Sequence, residues 1–464
     1  MFYEKFQRVA KATIILATSN GIGMGHLARA TAVALEMKEL ANPIIVSVAG
    51  GIAELPAATG IRCEYIPGKN RGWIKRNLWD SYLQARLLAV AEETGATVIS
   101  FDGVVPYPGF IATKIANPNL QLIWVRRGLW QKNALRFALP FQSRLVDKVI
   151  EPGDIARGID KGPTSRRKDA HLTSPVSLFN PDRAKSRSEA RSILGLDPAK
   201  PAVLVQLGTG DGDMNEKMRA ALTGLLGWRD LQVVLTKNPV DEIGNSLVPE
   251  GLTVKVVRYF PLADLLFAFD GAIAATGYNS VHELLPAAIP TVFVSNIRGT
   301  DNQDARARWC HENGYALRAN HADLADITHA VSQLQDDAIR ERLHSKCAAL
   351  GDTSGGLEIA QILIDIAKNS NKRSEPLVRR FSRKIAVISL RQATYLYRKI
   401  RPQKISHDVS KEEILYSSEI DVEFLRSAIK GNRHFEQLVT DSSKNYLEVR
   451  RKIANRFHSK SFPE

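Results

Sequence analysis

Residues 271–285, Gly-Ala-Ile-Ala-Ala-Thr-Gly-Tyr-Asn-Ser-Val-His-Glu-Leu-Leu, carry the pattern that decides the fold of this chain. An apolar strand at 271–275 runs into the turn Thr276-Gly277, and the pattern predicts a short helix that starts at Asn279. The apolar positions of this helix recur at helical spacing and should face a core: Val281, Leu284, Leu285 and Ala288. A second apolar strand at 290–295 and the polar loop 299–304 follow. This is the alternation of a parallel α/β sheet.

The turn between strand and helix has the features of a diphosphate pocket. Backbone N–H groups at a helix N-terminus, together with the positive end of its dipole, attract phosphate oxygens. Gly277 lets the backbone approach such a ligand closely. Asn279 and Glu283 are four residues apart and share a helix face, where a carboxylate can accept two ribose hydroxyl hydrogen bonds.

Length and composition indicate a soluble multidomain protein. A chain of 464 residues is too long for one core and suggests two domains with an appendage. Its three cysteines are far apart and lack metal-ligand spacing, which favours a reducing compartment. No stretch approaches the roughly 20 apolar residues of a membrane span, and the first apolar run is too short for a signal peptide. We therefore expect a cytoplasmic protein.

Apolar strand-like runs alternate with helical patterns twice along the chain. The first series has strands at 13–18, 44–48, 62–65, 97–101, 120–124 and 148–150, with helices near 26–40, 74–94 and 110–116. The second has strands at 202–207, 232–235, 253–257, 271–275 and 290–295, with helices near 215–226, 323–334 and 357–367. The predicted fold class is α/β, with two doubly wound Rossmann-like domains facing across a cleft. The predicted domains are 1–180, 200–369 and a basic, mainly helical extension at 370–464.

The first predicted strand ends in a glycine turn, Ser19-Asn-Gly-Ile-Gly-Met-Gly-His26. Its glycine spacing departs from the dinucleotide fingerprint, so that interpretation is disfavoured. His26 lies at a helix start, where its pKa falls, which suits a general base; the alternative is a capping or packing histidine. Asp102, at the end of the strand 97–101, is a second base candidate or could orient His26, or else caps a loop with Gly103.

These two regions together resemble the GT-B glycosyltransferases, especially family 28. The glycine turn at 21–26 carries part of the resemblance, and about 60 residues from Arg258 to Ala316 carry the specific part. That second region has the order of the family's donor half: strand, Thr276-Gly277, Glu283, strand, and the run Asp301-Asn302-Gln303-Asp304. The resemblance implies the GT-B fold and a nucleotide-sugar donor bound by the C-terminal half.

The resemblance also implies roles for individual residues. Tyr259 and Phe260 would contact the base, Glu283 the ribose, and Gln303 with Asp304 the sugar hydroxyls. The other implied donor-binding residues receive the diphosphate or let it approach: Gly23, Gly25, Gly208, Gly277, Tyr278, Asn279 and Ser280. Where the family often carries a basic residue before the Thr-Gly turn, this chain has Ala275. Lys237 or Arg298 would supply that charge instead, and Pro286 would kink or shorten the ribose-site helix.

The predicted reaction is an inverting transfer of a sugar from a nucleoside diphosphate, UDP in the first instance, to an acceptor hydroxyl. Backbone dipoles can stabilise the leaving group, so neither a metal nor a cofactor is expected; Asp211-Gly-Asp213 resembles a metal-binding D-x-D but is better explained as an exposed acidic turn. Gly25-His26-Leu27-Ala28-Arg29 also resembles nucleotide-sugar hydrolases of related fold. A hydrolase and a non-catalytic sugar-nucleotide sensor remain alternatives. A nucleic-acid-binding protein is a third alternative, but the chain lacks a recognised module and no nucleic acid is expected.

Acceptor and membrane contacts are expected outside the donor half. A saccharide or lipid-linked acceptor should meet aromatic and basic residues of the N-terminal half, which equally fit a core edge: Arg71, Trp73, Lys75, Arg76, Trp79, Trp124, Arg126, Arg127 and Trp130. Of the net charge of +14, most lies at 372–404, with eleven basic residues against one acidic. Residues 376–401 form a basic amphipathic helix that either lies on an anionic membrane, on its inner face, or packs against the catalytic body.

Overall fold

The computed structural model of the protein describes residues 11–19, 24–49, 55–68, 76–134, 138–208, 213–236, 248–296, 300–351, 353–369 and 377–400. These residues form two parallel sheets with helices against them. The predicted α/β class with two Rossmann-like sheets is therefore confirmed. Among the described helices, none is long and apolar enough to cross a bilayer.

The first sheet has seven strands in the order β3-β2-β1-β4-β5-β6-β7. They are β1 Thr13–Thr18, β2 Asn42–Ser47, β3 Arg62–Tyr65, β4 Val98–Asp102, β5 Gln121–Val125, β6 Lys148–Glu151 and β7 Ala170–Leu172. The intervening helices are α1 Gly25–Met37, α2 Arg76–Thr94, α3 Pro108–Ala116 and α4 Ala138–Ser143. β1 and β4 are buried along nearly their whole length, because helices cover both faces of a parallel sheet. That burial explains their continuous apolar runs.

The second sheet has six strands in the order β10-β9-β8-β11-β12-β13. They are β8 Ala202–Gln206, β9 Gln232–Thr236, β10 Val254–Val257, β11 Gly271–Ala275, β12 Thr291–Val294 and β13 Leu317–Ala319. The helices of this half are α5 Arg187–Leu194, α6 Asp213–Thr223, α7 Tyr278–Leu284, α8 Gln303–Glu312, α9 Leu324–Ser332 and α10 Asp337–Ala348. Short 3-10 segments complete the described elements: Leu55–Thr59, Arg157–Ile159, Leu262–Ala268 and Gln333–Gln335.

Both sheets place a topological switch point beside the interface between them. β1 pairs with β2 on one side and with β4 on the other, and β8 likewise pairs with β9 and β11. Connections run in opposite directions from such a strand pair, which opens a crevice at the carboxyl ends of the strands. The ends of β1, β4 and β11 are the positions that lead to His26, Asp102 and Asn279.

The last two described helices return to the first sheet. α11, Gly355–Lys368, packs against α1, β1 and β4, and α12, Leu377–Ile400, packs against α3. One apolar cluster runs without a break from Ile14 and Leu16 of the first sheet to Leu204 and Phe293 of the second. The two sheets thus share a core. The predicted boundaries at 180, 200 and 369 stay a prediction, with the added finding that α11 contacts the N-terminal sheet.

Elements differ from the sequence predictions mainly where they are short or polar. The predicted strands are present with shifts of one or two residues at most, and α7 begins at Tyr278 instead of Asn279. The sequence analysis missed six elements: β7, β13, α4, α5, α8 and α10. β7 and β13 are three residues long, too short to show a period, and α8 is too polar to stand out from the loop before it.

Candidate active site

A histidine and an aspartate meet at the switch point of the first sheet. His26 lies in the first turn of α1 and Asp102 is the last residue of β4. The distance from His26 Nδ1 to Asp102 Oδ1 is 2.6 Å. Among the described residues, none hydrogen-bonds to Nε2 of His26, and 13% of the side chain is exposed. The imidazole is thus held at one nitrogen and open at the other.

The protonation of this pair follows from its surroundings. Burial works to raise the pKa of Asp102, but the Arg29 charge and the bond to His26 outweigh it and lower that pKa to about 2. Asp102 is therefore an ionised acceptor, so the Nδ1 of a neutral His26 carries the proton. Burial lowers the pKa of His26, and the charges of Arg29 and Arg127 lower it further against the effect of Asp102. A neutral imidazole with a free Nε2 lone pair is the form that a general base needs.

Arg29 connects this pair to the second sheet. Its Nε donates to Asp102 Oδ2 at 2.9 Å and its Nη2 to Asp102 Oδ1 at 2.5 Å. Its Nη1 donates to Asn279 Oδ1 at 3.3 Å, and Asn279 Nδ2 donates back to the carbonyl of Gly25 at 3.1 Å. Asn279 belongs to the first turn of α7. The structure therefore brings His26, Asp102 and the predicted diphosphate helix together across the crevice.

The N-terminus of α7 has unsatisfied donors, as a phosphate site requires. Gly277 is its N-cap, and no side chain caps the helix. Among the described residues, none accepts a hydrogen bond from the backbone N–H groups of Tyr278, Asn279 and Ser280, in line with the free donors of any first turn. A Cβ built on Gly277 would meet no atom closer than Ser280 Oγ at 3.9 Å. Among the described residues, no side chain thus fills the space next to the Gly277 Cα.

Glu283 lies one turn further along α7. Burial raises the pKa of its carboxyl to about 8, and no charged partner offsets this effect. In the part of the chain that the structure describes, the Glu283 side chain has no hydrogen-bond or ion-pair partner, and its ribose contact stays a prediction. α7 ends at Leu284, two residues before Pro286, as the proline predicts.

The predicted sugar-contact loop is tied down by ion pairs. Gln303 Oε1 accepts from the backbone N–H of Asn296 at 3.0 Å. The Asp304 carboxylate accepts from Arg308 at 2.8 Å and from Arg318 at 2.9 Å. A sugar hydroxyl would have to share these oxygens with the two arginines. Asp304 therefore has a weaker geometric case than Glu283.

Tyr278 differs from the predicted role in its side chain. The Tyr278 hydroxyl donates to the Gly153 carbonyl at 2.7 Å and accepts from the Val176 N–H at 2.9 Å. Its ring is 2% exposed and thus lies away from the open space before the turn. Only the backbone N–H of Tyr278 remains available to a diphosphate. The side chain instead connects α7 to the end of the first sheet.

The remaining donor predictions fall on loops at the carboxyl ends of strands. Tyr259 follows β10 and is 37% exposed, while Phe260 packs partly buried against the shared core. Gly208 follows β8 with φ of +80°, beside Asn296, and Gly25 begins α1. Gly23, Lys237, Arg298 and Asp211 lie outside the described residues, and the Asp213 side chain is not described. No cluster of metal-ligating side chains is found in the part of the chain that the structure describes.

Where the structure describes them, most of the acceptor-side residues fit a core edge, the second of the two interpretations of this set. Trp79 and Trp124 are fully buried and donate to the carbonyls of Pro67 and Gly103. Trp130 is 3% exposed and Arg126 is 0% exposed, so these side chains belong to the core edge. Arg127 is the exception: it is 17% exposed and pairs with Asp301 at 3.2 Å. Arg71, Trp73 and Lys75 lie outside the described residues, and the Arg76 side chain is not described.

Sequence reasoning missed the contacts that join the two halves. Arg306 of α8 is fully buried and donates to Asp154 and Asp301, and its Nη1 donates to the Thr276 carbonyl at 2.8 Å. His282 Nε2 accepts from the Ile155 N–H at 3.0 Å. These residues are far apart in the sequence, and no local pattern marks them.

Comparisons with known proteins find relatives in sequence and in fold. No protein-family model matches the chain. A protein of Rhodococcus opacus (strain B4), named UDP-N-acetylglucosamine–N-acetylmuramyl-(pentapeptide) pyrophosphoryl-undecaprenol N-acetylglucosamine transferase, is 26% identical over 398 residues, or 77% of this chain and 97% of that protein. A UDP-glucosyltransferase from Polygonum tinctorium has a similar structure, with a TM-score of 0.53, 13% identity, and coverage of 78% of this chain and 100% of that one.

A second solved structure, the glycotransferase of kitacinnamycin, has a TM-score of 0.52 and 16% identity over 77% of this chain and 99% of that one. At these identities the structural neighbours show the fold, which is GT-B. The resemblance to the GT-B glycosyltransferases of family 28 is confirmed by the curated relative together with this fold. The predicted class of enzyme, a glycosyltransferase, is confirmed with it.

Proposed function

We propose that this protein transfers a sugar, with inversion, from a uridine diphosphate donor to a hydroxyl of a lipid-linked saccharide acceptor in cell-envelope biosynthesis. The observation that carries the proposal is the continuous hydrogen-bonded path from His26 and Asp102 through Arg29 to Asn279. It joins a neutral base to a helix N-terminus with free donors. The chemical names of the curated relatives support the choice of donor and acceptor.

The chemistry needs only groups of this chain. His26 Nε2 takes the proton of the acceptor hydroxyl while that oxygen attacks the anomeric carbon of the donor. The bond from the anomeric carbon to the diphosphate breaks, and its electron pair moves onto the leaving phosphate oxygen. The N–H groups at the start of α7 stabilise this developing charge. Asp102 stabilises the imidazolium that forms, and a single displacement inverts the anomeric centre.

His26→Ala tests the base. We expect a loss of roughly 100-fold or more in turnover with donor affinity retained, because general-base catalysis contributes about this much. The measurement is nucleotide release from UDP-N-acetylglucosamine in the presence of bacterial lipid extract. His329→Ala, at an exposed histidine of α9, is the matched control. Near-normal turnover of the His26 variant would remove this residue from the mechanism.

Glu283→Ala tests the donor site. We expect weaker binding of UDP by calorimetry with little change in the folded state, because the carboxyl has no partner among the described residues. The base of the nucleotide is tested by ranking uridine, thymidine and guanosine diphosphates in the same titration. Equal affinity of the variant and the parent would contradict the ribose contact.

The acceptor determines whether the reaction is a transfer. We expect nucleotide release to depend on lipid extract and to yield a lipid-linked product. Release at the same rate without any acceptor would indicate a hydrolase. Binding without release under either condition would indicate a sugar-nucleotide sensor.

We also propose that α12 attaches the protein to an anionic membrane, on the cytoplasmic face. One side of α12 packs against the first sheet through Ala386 and Val387. The other side exposes Phe381 and Ile385, at 66% and 51%, next to exposed Lys384. The described helix contains no acidic residue. An apolar stripe with basic neighbours matches the surface of an anionic bilayer.

Vesicle co-sedimentation tests the attachment. We expect the full chain to bind vesicles with 30% phosphatidylglycerol, as a chosen composition of roughly bacterial anionic content, and to bind phosphatidylcholine vesicles weakly. Phe381→Asp should reduce binding to the anionic vesicles. Leu40→Asp is the control, because Leu40 is similarly exposed, at 61%, in a turn elsewhere. Equal loss in both variants, or no binding by the parent, would overturn this attachment.

A further inference from the structure

The Arg29 side chain contacts residues from both halves of the protein. It lies on α1, three residues after His26, and its side chain is 3% exposed. The same guanidinium contacts both oxygens of Asp102 on β4 and the amide oxygen of Asn279 on α7. It also lies over the Tyr278 ring, with 5.2 Å from its central carbon to the ring centroid. Arg29 is thus a buried cation that contacts both the His26–Asp102 pair and α7. Such a cation can couple the protonation of His26 to ligand binding at α7.

The contact between Arg29 and His26 determines how Arg29 affects the protonation of the imidazole. Arg29 Nη2 is 2.9 Å from His26 Nδ1, while Asp102 Oδ1 is 2.6 Å from the same nitrogen. Arginine is only a donor and an ionised carboxylate is only an acceptor. Because the shorter contact requires Nδ1 to carry a proton for Asp102, the arginine nitrogen faces an N–H group. Two positive groups would therefore be in contact whenever the imidazole gained a second proton.

The charged groups around His26 come from three elements. Asp102 at the end of β4 favours the imidazolium, whereas Arg29 of α1 and Arg127 after β5 oppose it. α7 contributes the neutral amide of Asn279, which touches Arg29 and not the imidazole. Arg127 pairs with Asp301, but Arg29 shares its carboxylate with the histidine itself. Arg29 is thus the cation whose removal changes the imidazole most directly.

We propose that Arg29 is a positioning residue that keeps His26 neutral, fixes its tautomer through Asp102, and couples the base to occupancy of the diphosphate site through Asn279. This rests on the proposed function, since it assigns a role to a base and a donor site. A diphosphate at the start of α7 would attract the Arg29 guanidinium and weaken its opposition to the imidazolium. The base would then accept its proton more readily when the donor is bound.

The test measures the titration of His26 directly, in the full chain. Histidine labelled with ¹³C is observed by NMR, and the His26 signal is assigned by its loss in His26→Gln. In Arg29→Gln we expect the midpoint to move to higher pH, because an opposing charge is gone. Arg29→Lys retains the charge and should stay close to the parent. UDP added to the parent should also move the midpoint to higher pH, and this response should be lost in Arg29→Gln.

Kinetics supply the second readout. We expect kcat of Arg29→Gln to fall roughly 10- to 100-fold, as misplaced catalytic groups commonly cause. The acid limb of its pH–rate profile should lie at higher pH than in the parent. Arg62→Gln is the matched control, because Arg62 lies on the far strand β3 and pairs with Glu64 of that strand and with Glu93 of α2. It should change neither the midpoint nor the limb.

Two failures are distinguishable. If the parent neither binds UDP nor releases nucleotide, the proposed function fails, whatever the titration shows. If the parent is active and the His26 midpoint in Arg29→Gln is unchanged or lower, the role of Arg29 is overturned. Should Arg29→Gln fail to fold, the double variant Arg29→Met with Asp102→Asn removes both charges; a UDP response of His26 that survives there overturns the coupling.

Discussion

At the scale of single residues, a substitution of Gly277 should affect ligand binding without affecting folding. Its φ of −66° is accessible to any residue, and an added Cβ would meet no atom closer than 3.9 Å. The protein itself therefore does not require glycine here, whereas a phosphate against the turn does. We expect Gly277→Ala to leave the thermal midpoint within about 2 °C of the parent and to weaken UDP binding at least tenfold by calorimetry.

Gly158→Ala is the control for this experiment, because a Cβ on Gly158 meets nothing within 4 Å and so causes no clash either. It lies in the 3-10 segment Arg157–Ile159, away from α7. Both variants should fold alike, and only Gly277→Ala should lose affinity. Unchanged UDP affinity in Gly277→Ala would show that the diphosphate does not approach this turn.

The raised pKa of Glu283, about 8, gives a pH dependence with a definite sign. An unfolded carboxyl ionises near pH 4.3, so between that value and about 8 the folded state holds the extra proton. The free energy of unfolding then falls as pH rises through this window. Glu283→Gln should remove that slope and be the more stable protein at pH 8 by up to a few kcal/mol. Urea unfolding at pH 5 and pH 8 measures both, and an equal slope in the two proteins would contradict the burial.

The sequence analysis correctly predicted that residues at the carboxyl ends of the parallel strands lie at one edge of each sheet. His26, Asp102 and Asn279 each follow the carboxyl end of a buried strand, and such ends meet at one edge of a sheet. Arg29 stood in the quoted Gly-His-x-x-Arg motif, yet its contact with Asn279, 250 positions away, depends on how the sheets face each other. Whether these residues bind and react as predicted awaits the experiments on the variants.

At the scale of elements, length and polarity decided which predictions succeeded. β1 and β11 were predicted with their observed bounds, because a fully buried parallel strand is a continuous apolar run. α8 was not predicted, because its residues are mostly polar or charged; the Asn302 cap and the ion pairs of Arg306 stabilise it. Of the two interpretations of the segment 376–401, packing against the catalytic body is seen on one face of α12. Membrane contact through the apolar residues exposed on the other face stays a proposal.

Neighbouring residues of α12 test whether it is docked in solution. Val387 is 3% exposed and lies in the core of the first sheet, whereas Ile388 is 49% exposed. We expect Val387→Ala to lower the free energy of unfolding by about 1–3 kcal/mol, because it leaves a cavity. Ile388→Ala should change it by less than about 0.5 kcal/mol. Equal effects in urea titrations would mean that α12 does not pack against α3 as observed.

At the scale of the whole molecule, the two sheets are joined by buried charge as well as by apolar surface. Arg306 of the second half donates to Asp154 after β6 of the first, at 2.8 Å, and to Asp301 at 2.9 Å. The strand-like residues Trp130 and Asp301 form a β-bridge between the halves, and Asp301 also pairs with Arg127. Since Arg306 holds the Thr276 carbonyl as well, this network fixes the donor turn relative to His26. Sequence patterns could not reveal it, because its members come from four separate segments.

Arg306→Ala measures what this network contributes. Burial works to raise the pKa of Asp154 and of Asp301, but the charge of Arg306 outweighs it and lowers both. Without the arginine, Asp154 stays buried without its ion-pair partner and Asp301 keeps only Arg127, so we expect a loss of about 3–5 kcal/mol in the free energy of unfolding at pH 7. Carboxyls whose pKa is lowered in the folded state stabilise that state only above their unfolded pKa, which is near 3.9. The lower free energy of unfolding of Arg306→Ala should therefore persist down to about pH 5, and its difference from the parent should shrink below pH 4.

Arg308→Ala, which removes an exposed pair with Asp304 on the same helix, should cost less than about 1 kcal/mol at every pH. Urea titrations of both variants between pH 3.5 and 7 make the comparison, and a pH-independent deficit in Arg306→Ala would show that lost packing, not the buried charges, joins the two halves.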